Sequence, residues 1–312
     1  MKYIILTAGF PASGKSTIVD YCISQGYESL SRDVEGGSLH GLSMKLEKKL
    51  EAGVDKIVLD NTYMTLESRA EVLEICKKYN ARVVCYYLTT SIEDCMVNAV
   101  SRMIQRHGKL FDKAEDYKLS NDANMFPIAA LYRAKKIFVK PTLAEGFNEI
   151  KIIPFVRKPT GNTAKAILLD YDGTLRHTKS GNIYPTDPSD IEILPNRIEK
   201  LKELQSQGYI LLGVSNQSGI AKGLLSREMA VKCFEKTNEL LGLDIDYRFC
   251  GHSVPPITCY CRKPGVGFGV EFIEKYKLDP AQCIMVGDMG SDNTFAKRCG
   301  FKFVEAEQFF KK

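Results

Sequence analysis

Residues 2–17 read KYIILTAGFPASGKST. Lys2–Thr7 is short, apolar and β-branched, the pattern of a buried strand. Gly9–Ser16 then fits G-x-x-x-x-G-K-[ST], and the spacing predicts a helix from about Lys15 to Ser24. Strand, glycine turn and helix in this order decide the fold of the first half. Such a turn points backbone N–H groups at a phosphate, and the helix start adds positive potential. Gly9, Ala12, Ser13, Gly14, Lys15, Ser16 and Thr17 are the candidate nucleotide-binding residues. In this pattern Lys15 reaches the β- and γ-phosphates of ATP, and the Ser16 hydroxyl ligates Mg²⁺.

Outward from this loop, strand and helix alternate. Helices are expected over Leu39–Ala52 and Leu66–Tyr79, and strands over Lys56–Leu59 and Arg82–Leu88. The alternation implies a parallel sheet covered on both faces. Asp33 falls at an expected strand end, where it either accepts the proton of an attacking hydroxyl or caps a helix. Asp60 ends the strand Lys56–Leu59 and reads as an outer carboxylate of the Mg²⁺ site or as a turn cap. Arg102 and Arg106 are four apart on a helix, so they share a face. They either form a lid over the triphosphate, with one as an arginine finger, or are exposed helix charges.

Residues 156–164, VRKPTGNTA, have little periodicity and read as a linker, after which the alternation restarts. Strands are expected at Ala166–Asp170, Ile210–Ser215 and Ile284–Gly287, with helices at Asn196–Gln207, Glu228–Leu240 and Asp292–Cys299. The fold class is therefore α/β, with two parallel-sheet domains at 1–157 and 164–312. The first restarted strand runs into ILLDYDGTL, so two carboxylates, Asp170 and Asp172, stand two apart at its end. Asp170 can attack phosphorus to give an aspartyl-phosphate, while Asp172 protonates the leaving alkoxide and later activates water. Ser215 and Asn216 can bind phosphoryl oxygens, and Lys263 adds a positive charge. Asp288 and Asp292 complete a Mg²⁺ set with Asp170 and Asp172. Four such groups at successive strand ends fit an open α/β active site.

Cys250, His252, Cys259 and Cys261 lie within twelve residues, around Pro255 and Pro256. Three thiolates and one imidazole are a closed tetrahedral Zn²⁺ set, structural in kind. The segment runs directly into Arg262 and Lys263, so the knot would set both at the phosphate.

These stretches resemble known families. GFPASGKST (9–17), SRDVEGG (31–37), LDNTYMTLESRA (59–70) and YRAKKIFVKPTLAEGFNEIKIIPF (132–155) resemble the kinase domain of polynucleotide kinase-phosphatases. The segment Pro141–Phe147 is the most specific of them. The resemblance implies ATP-dependent phosphorylation of a polynucleotide 5′-hydroxyl, with Lys15 on phosphate and Ser16 on Mg²⁺. It implies Asp33 as general base, and Arg102 or Arg106 at the transition state. Gly36 stands where phage members carry an arginine, so substrate-phosphate contacts must come from elsewhere. Residues 164–310 resemble the haloacid dehalogenase (HAD) phosphatase superfamily. SGNIYPTDPSDIEILP (180–195) and VEAEQFF (304–310) resemble the polynucleotide 3′-phosphatase half in particular. The domain order is that of phage members. The cysteine knot departs from them and is similar to bacterial histidinol-phosphate and heptose-bisphosphate phosphatases.

Composition agrees with this reading. The 312 residues are 44% hydrophobic and 26% charged, with no run approaching a membrane span. The apolar start is too short for a usual signal peptide, so a cytoplasmic location and ten reduced cysteines are expected. A net charge of +5 is too small to mark a nucleic-acid binder alone. Arg102–Lys140, however, holds nine basic residues against four acidic ones, which reads either as a contact for the substrate backbone or as a solvated helix face. The expected cofactors are ATP, Mg²⁺ and Zn²⁺. The expected partners are DNA or RNA ends, with a ligase acting downstream and no membrane. One alternative is a small-molecule kinase fused to a sugar-phosphate or histidinol-phosphate-type phosphatase. A second is an end-binding module with one dead domain, which the completeness of both motif sets disfavours.

Overall fold

Strands and helices alternate from the first residues, as the apolar runs predict. The structure, a computed structural model, describes residues 1–254 and 259–311. Pro255 and Pro256 therefore lie outside the described residues. The first part of the chain runs β1 (Tyr3–Ala8), α1 (Lys15–Ser24), β2 (Glu28–Ser31), α2 (Arg32–Glu35), α3 (Leu39–Glu51), β3 (Lys56–Asp60), α4 (Leu66–Lys78) and β4 (Arg82–Leu88). It continues through α5 (Ile92–His107), α6 (Ala114–Ser120), α7 (Ile128–Ile137) and β5 (Glu149–Ile153). Next come β6 (Ala166–Leu169), β7 (Arg176–Thr178), β8 (Ile191–Ile193), α8 (Arg197–Ser206), β9 (Ile210–Asn216), α9 (Ser218–Ala221), α10 (Arg227–Leu241) and β10 (Asp246–Cys250). The last elements are α11 (Gly267–Tyr276), β11 (Ile284–Gly287), α12 (Gly290–Cys299), β12 (Lys302–Glu305) and α13 (Ala306–Phe309). Two units result: Met1–Asn98 with Asp122–Arg157, and Ala99–Asn121 with Lys158–Lys312. Among the described residues no helix is long and apolar enough to cross a membrane.

The first unit holds a five-stranded parallel sheet, ordered β2-β3-β1-β4-β5. Ile4 and Leu6 face one side of β1 and join a core with Leu42, Leu46 and Leu50 of α3 and Val72 of α4. Ile5 faces the other side, against Val19 and Cys22 of α1. Both faces of β1 are thus buried, which is why its sequence is a continuous apolar run rather than an alternating one. Leu42, Leu46 and Leu50 recur every four residues along one helix face. Ser38 caps that helix by accepting from Gly41 N (3.0 Å).

The segment Pro141–Phe147 acts as an anchor in this unit. Arg69 of α4 is fully buried, and its Nε and Nη2 meet Glu145 Oε2 (2.6 Å) and Oε1 (3.0 Å). Nη1 donates to Tyr63 O (2.9 Å) and Val139 O (3.0 Å). Glu145 also accepts from Thr142 N (2.8 Å). Removing one partner of a buried pair typically costs ~3–5 kcal/mol, because the other charge is left uncompensated.

The second unit holds another five-stranded parallel sheet, ordered β10-β9-β6-β11-β12, and a two-stranded antiparallel ribbon, β7-β8. Its core gathers Ile167 and Leu169 of β6 with Leu201 and Leu204 of α8, Phe234 and Leu241 of α10, and Val286 of β11.

Candidate active sites

In the first unit the glycine turn curls between β1 and α1. Gly14 has φ 95°, a left-handed conformation in which a side chain would be strained, and Ala12 also has a positive φ of 59°. A non-glycine residue there costs roughly 1–2 kcal/mol. Such strain clusters at ligand clamps. Packing over-determines it here: Thr90 Oγ1 donates to Ser13 O (2.7 Å) and Asn98 Nδ2 to Ala12 O (2.9 Å). Lys15 Nζ reaches back to Phe10 O (2.7 Å), so its ammonium lies within the curl.

Two carboxylates stand at the ends of the strands beside β1. Register pairs Ser31 of β2 with Asp60 of β3, and Asp33 follows two residues later in α2, exposed. Ser31, not Asp33, is the residue preceding that helix. The turn after β3 is held by Asn61, whose Oδ1 accepts from Thr62 N (2.7 Å), leaving the Asp60 carboxylate outside the turn bond. Burial pushes Asp60 above the usual carboxylate range; Lys15 pulls it down, while Asp33 and Asp20 push it up. These four groups therefore share one electrostatic neighbourhood. Arg102 and Arg106 sit one turn apart on α5, in the stretch Ala99–Asn121 that groups with the second unit.

In the second unit the strand ends converge as their motifs require. Asp170 follows β6 and donates its backbone N–H to Val286 O of β11 (3.0 Å). Ser215 and Asn216 end β9, and register pairs Asn216 with Cys250 of β10. Lys263 Nζ lies 2.8 Å from Asp170 Oδ1 and 2.8 Å from Asp292 Oδ1, and it donates to Val214 O (2.6 Å). Burial opposes charge on Lys263, but Asp170 and Asp292 outweigh it and hold its pKa above the ordinary value. Burial pushes Asp170 up to about 6, with Lys263 opposing and Asp292 assisting. Gly287 makes room for this arrangement, since a Cβ there would strike the Asp292 carboxylate.

Ligand oxygens of Asp170, Asp288 and Asp292 all lie within 4.8 Å of one another. Three carboxylates face one ammonium, an excess of negative charge that a divalent cation would balance, so the residues fit Mg²⁺. The side chain of Asp172, expected in that set, is turned elsewhere because both its oxygens are bonded. Oδ1 accepts from Arg176 Nε (2.8 Å) and Oδ2 from Gln217 Nε2 (2.7 Å). Asn216 spends its amide on the Lys263 backbone, donating to Lys263 O and accepting from Lys263 N, both at 3.0 Å. It orients the lysine. Ser215 is buried, and its Oγ accepts from Gln217 Nε2 (3.0 Å). Neither Arg176 nor Gln217 stood out in the sequence; the one available signal was that Gln217 directly follows Ser215-Asn216.

Cys250, His252, Cys259 and Cys261 close into one cluster, their ligand atoms within 4.8 Å of one another. Cys250 Sγ and Cys259 Sγ are 3.7 Å apart, and His252 Nδ1 is 3.3 Å from both Cys250 Sγ and Cys261 Sγ. Bonds of ~2.3 Å to a tetrahedral ion imply sulfur–sulfur edges of ~3.75 Å, so the donor set fits zinc. The three thiols are hydrogen-bonded to one another, which lowers the pKa of Cys259 and raises those of Cys250 and Cys261. Arg262 follows the cluster, and Gln217 N donates to Cys250 O (2.7 Å), tying it to the end of β9.

Comparison with known proteins agrees with both halves. The family model described as polynucleotide kinase 3 phosphatase matches residues 165–310, and an AAA domain model matches residues 4–116. A D-glycero-beta-D-manno-heptose-1,7-bisphosphate 7-phosphatase of Haemophilus ducreyi is 36% identical over 152 residues, covering 44% of this chain and 80% of that protein. The bifunctional polynucleotide phosphatase/kinase of Schizosaccharomyces pombe is 30% identical over 155 residues, covering 49% of this chain and 33% of that protein. A chain of the Pnkp1/Rnl/Hen1 complex aligns over 98% of this chain and 96% of its own, at 15% identity and a TM-score of 0.32. Residues 165–310 match the polynucleotide kinase 3 phosphatase family, and with a phosphate loop in one unit and an aspartate pair in the other the chain is a kinase joined to a phosphatase.

Proposed function

We propose that the protein heals nucleic-acid ends, phosphorylating 5′-hydroxyls with ATP and removing 3′-phosphates, so that a ligase can act on the product. The observation carrying this reading is that one chain holds both a glycine-rich loop of the phosphate-binding pattern and a pair of aspartates two apart, each at the carboxyl edge of its own parallel sheet. The S. pombe relative, a polynucleotide phosphatase/kinase, supports the substrate class. We assign the kinase to residues 1–157 and the phosphatase to 164–312, in a cytoplasmic protein.

In the kinase, the N–H groups of Gly9–Thr17 and the Lys15 ammonium hold the ATP phosphates. Asp33 takes the proton of the 5′-hydroxyl as its oxygen bonds to the γ-phosphorus, and the bond to the β–γ bridging oxygen breaks to release ADP. Arg102 and Arg106 neutralise charge on the group in flight. In the phosphatase, an Asp170 oxygen bonds to phosphorus as the ester bond breaks, and the Asp172 proton passes to the leaving oxygen. Water then attacks the aspartyl-phosphate, Asp172 recovers a proton from it, and inorganic phosphate leaves. Lys263, Ser215 and Arg262 hold the phosphoryl oxygens. Ser16 in the first unit, and Asp170, Asp288 and Asp292 in the second, would hold Mg²⁺, which would supply positive charge against the phosphate. Cys250, His252, Cys259 and Cys261 would hold a structural zinc, and the closed cluster would brace Arg262 and Lys263 rather than activate water.

The cluster, with the 80% coverage of the Haemophilus enzyme, favours one second reading: a phosphatase for heptose bisphosphate or a similar small ester. The deciding experiment is end-labelling of an oligonucleotide with ATP beside phosphate release from a panel of phosphorylated metabolites. Label transfer and release from a 3′-phosphorylated oligonucleotide support end healing. Turnover of metabolites alone supports the second reading.

A further inference from the structure

The Asp172 carboxylate is gripped on both oxygens, and each grip is itself fixed. Arg176 is 1% exposed, and its Nε donates to Asp172 Oδ1 at 2.8 Å. Its Nη1 donates to Cys233 O and Thr237 Oγ1 of α10, both at 2.7 Å. Its guanidinium carbon lies 5.3 Å from the ring centre of Tyr171 and 4.9 Å from that of Phe234. Gln217 is equally buried; its Nε2 spans Asp172 Oδ2 (2.7 Å) and Ser215 Oγ (3.0 Å).

The buried Arg176 guanidinium makes a charge-assisted hydrogen bond to Asp172 Oδ1 that fixes the plane and direction of the carboxyl group. With Nε and Nη1 spent on protein atoms and two rings beside its plane, Arg176 is built to hold Asp172. A carboxylate has about four acceptor positions, and the clamp uses two, so lone pairs remain for a proton in transit. We propose that Arg176, with Gln217 as the second arm, is a positioning residue that aims Asp172 at the leaving oxygen. This rests on the reading of Asp170 as nucleophile and Asp172 as general acid. Where the ester bond breaks, the Asp172 proton must arrive on the departing oxygen; a misplacement of ~1 Å can cost ~10²-fold.

The test separates aim from packing through the leaving group. A p-nitrophenolate leaves without a proton, whereas an alkoxide needs one. Release of the alcohol is measured in a single turnover for p-nitrophenyl phosphate and for two alkyl esters, a 3′-phosphorylated oligonucleotide and heptose 1,7-bisphosphate. Arg176→Met is expected to slow alkyl-ester cleavage by ~100-fold and p-nitrophenyl phosphate cleavage by less than ~5-fold, general acids contributing ~10²–10⁴-fold. Equal losses on both ester types in a folded variant, or no loss, overturn the proposal. Should Arg176→Met not fold, Gln217→Met is read the same way: a selective alkyl-ester loss of ~10-fold or more supports the clamp, and an equal loss or none overturns it. Asp172→Asn distinguishes the two levels. If it shows no selective loss, the acid assignment falls and the clamp with it; a selective loss there and none in Arg176→Met defeats the clamp alone.

Discussion

At the edge of the first sheet Asp33 is exposed and Asp60 only half-buried, beside a lysine that rests on a backbone carbonyl. At the edge of the second, Asp170 and Asp292 are 8% and 0% exposed, and both close on the buried Lys263. The contrast follows the chemistry proposed for the two sites. A kinase base must meet a hydroxyl arriving on a second substrate, so it stays open to solvent. An aspartyl nucleophile must itself bond to phosphorus, so its geometry is fixed in advance by partners that cost desolvation. Strain is also distributed differently: the first site holds it in the backbone, at Ala12 and Gly14, and the second in crowded charge.

The sharpest way to break the comparison is to remove one centre at a time. Asp170→Asn is expected to lower phosphatase activity by more than ~1,000-fold while kinase activity stays within ~2-fold, since a covalent nucleophile has no substitute. Lys15→Ala is expected to do the reverse, with a kinase loss of ~100–1,000-fold. Rate assays on both activities for each folded variant check this; loss of both from either substitution would contradict two separate sites.

A smaller effect is expected at the anchor of the first unit. Glu145→Ala strands the buried Arg69 and should cost ~3–5 kcal/mol. Thermal unfolding followed by kinase and phosphatase activity should show the kinase lost at the lower temperature, by roughly 6–20 °C relative to wild type. Simultaneous loss of both would mean that the anchor is not local to its unit.

The cysteine cluster sharpens the comparison further, because the first unit has no counterpart among its described residues. Elemental analysis of protein purified without added metal is expected to give one zinc per chain. Cys259→Ser should lower phosphatase activity by ~10-fold or more, as second-ring supports of catalytic groups commonly do, and leave the kinase unchanged. Full phosphatase activity without zinc would remove the bracing role.

How much of this was legible in the sequence depended on burial. β1, β3 and β4 are covered on both faces and stand out as apolar runs. β10 (DYRFC) and β12 (KFVE) lie at sheet edges with half-exposed, charged residues, and the periodicity missed them. Arg248, for instance, sits in β10 because Glu271 and Asp246 each pair with it at 2.7 Å, which no local pattern announces. Catalytic candidates were readable where spacing carried the chemistry, as at Asp170 and Asp172. Arg176 was not: an arginine after DGTL reads as a surface residue. Its burial is set by Cys233, Phe234 and Thr237, nearly sixty positions later. The segment Pro141–Phe147 was recognised by resemblance, but its physical role became visible only with Arg69 opposite Glu145.

The smallest effect concerns salt. Kinase affinity for an oligonucleotide should fall with added salt through counterion release, with the basic stretch Arg102–Lys140 contributing, whereas phosphatase affinity for p-nitrophenyl phosphate should change little. Titrations between ~50 and ~200 mM salt check it; an unchanged oligonucleotide affinity would make that stretch a solvated face.

The central claim is that both centres act on the ends of nucleic-acid strands, and one oligonucleotide tests it most directly. A strand carrying a 5′-hydroxyl and a 3′-phosphate is incubated with ATP and Mg²⁺, and its ends are read by mass. One product with a 5′-phosphate and a 3′-hydroxyl is expected, with the Asp170→Asn protein stopping at the doubly phosphorylated strand. A strand left unchanged by a protein that rapidly hydrolyses heptose bisphosphate would contradict it.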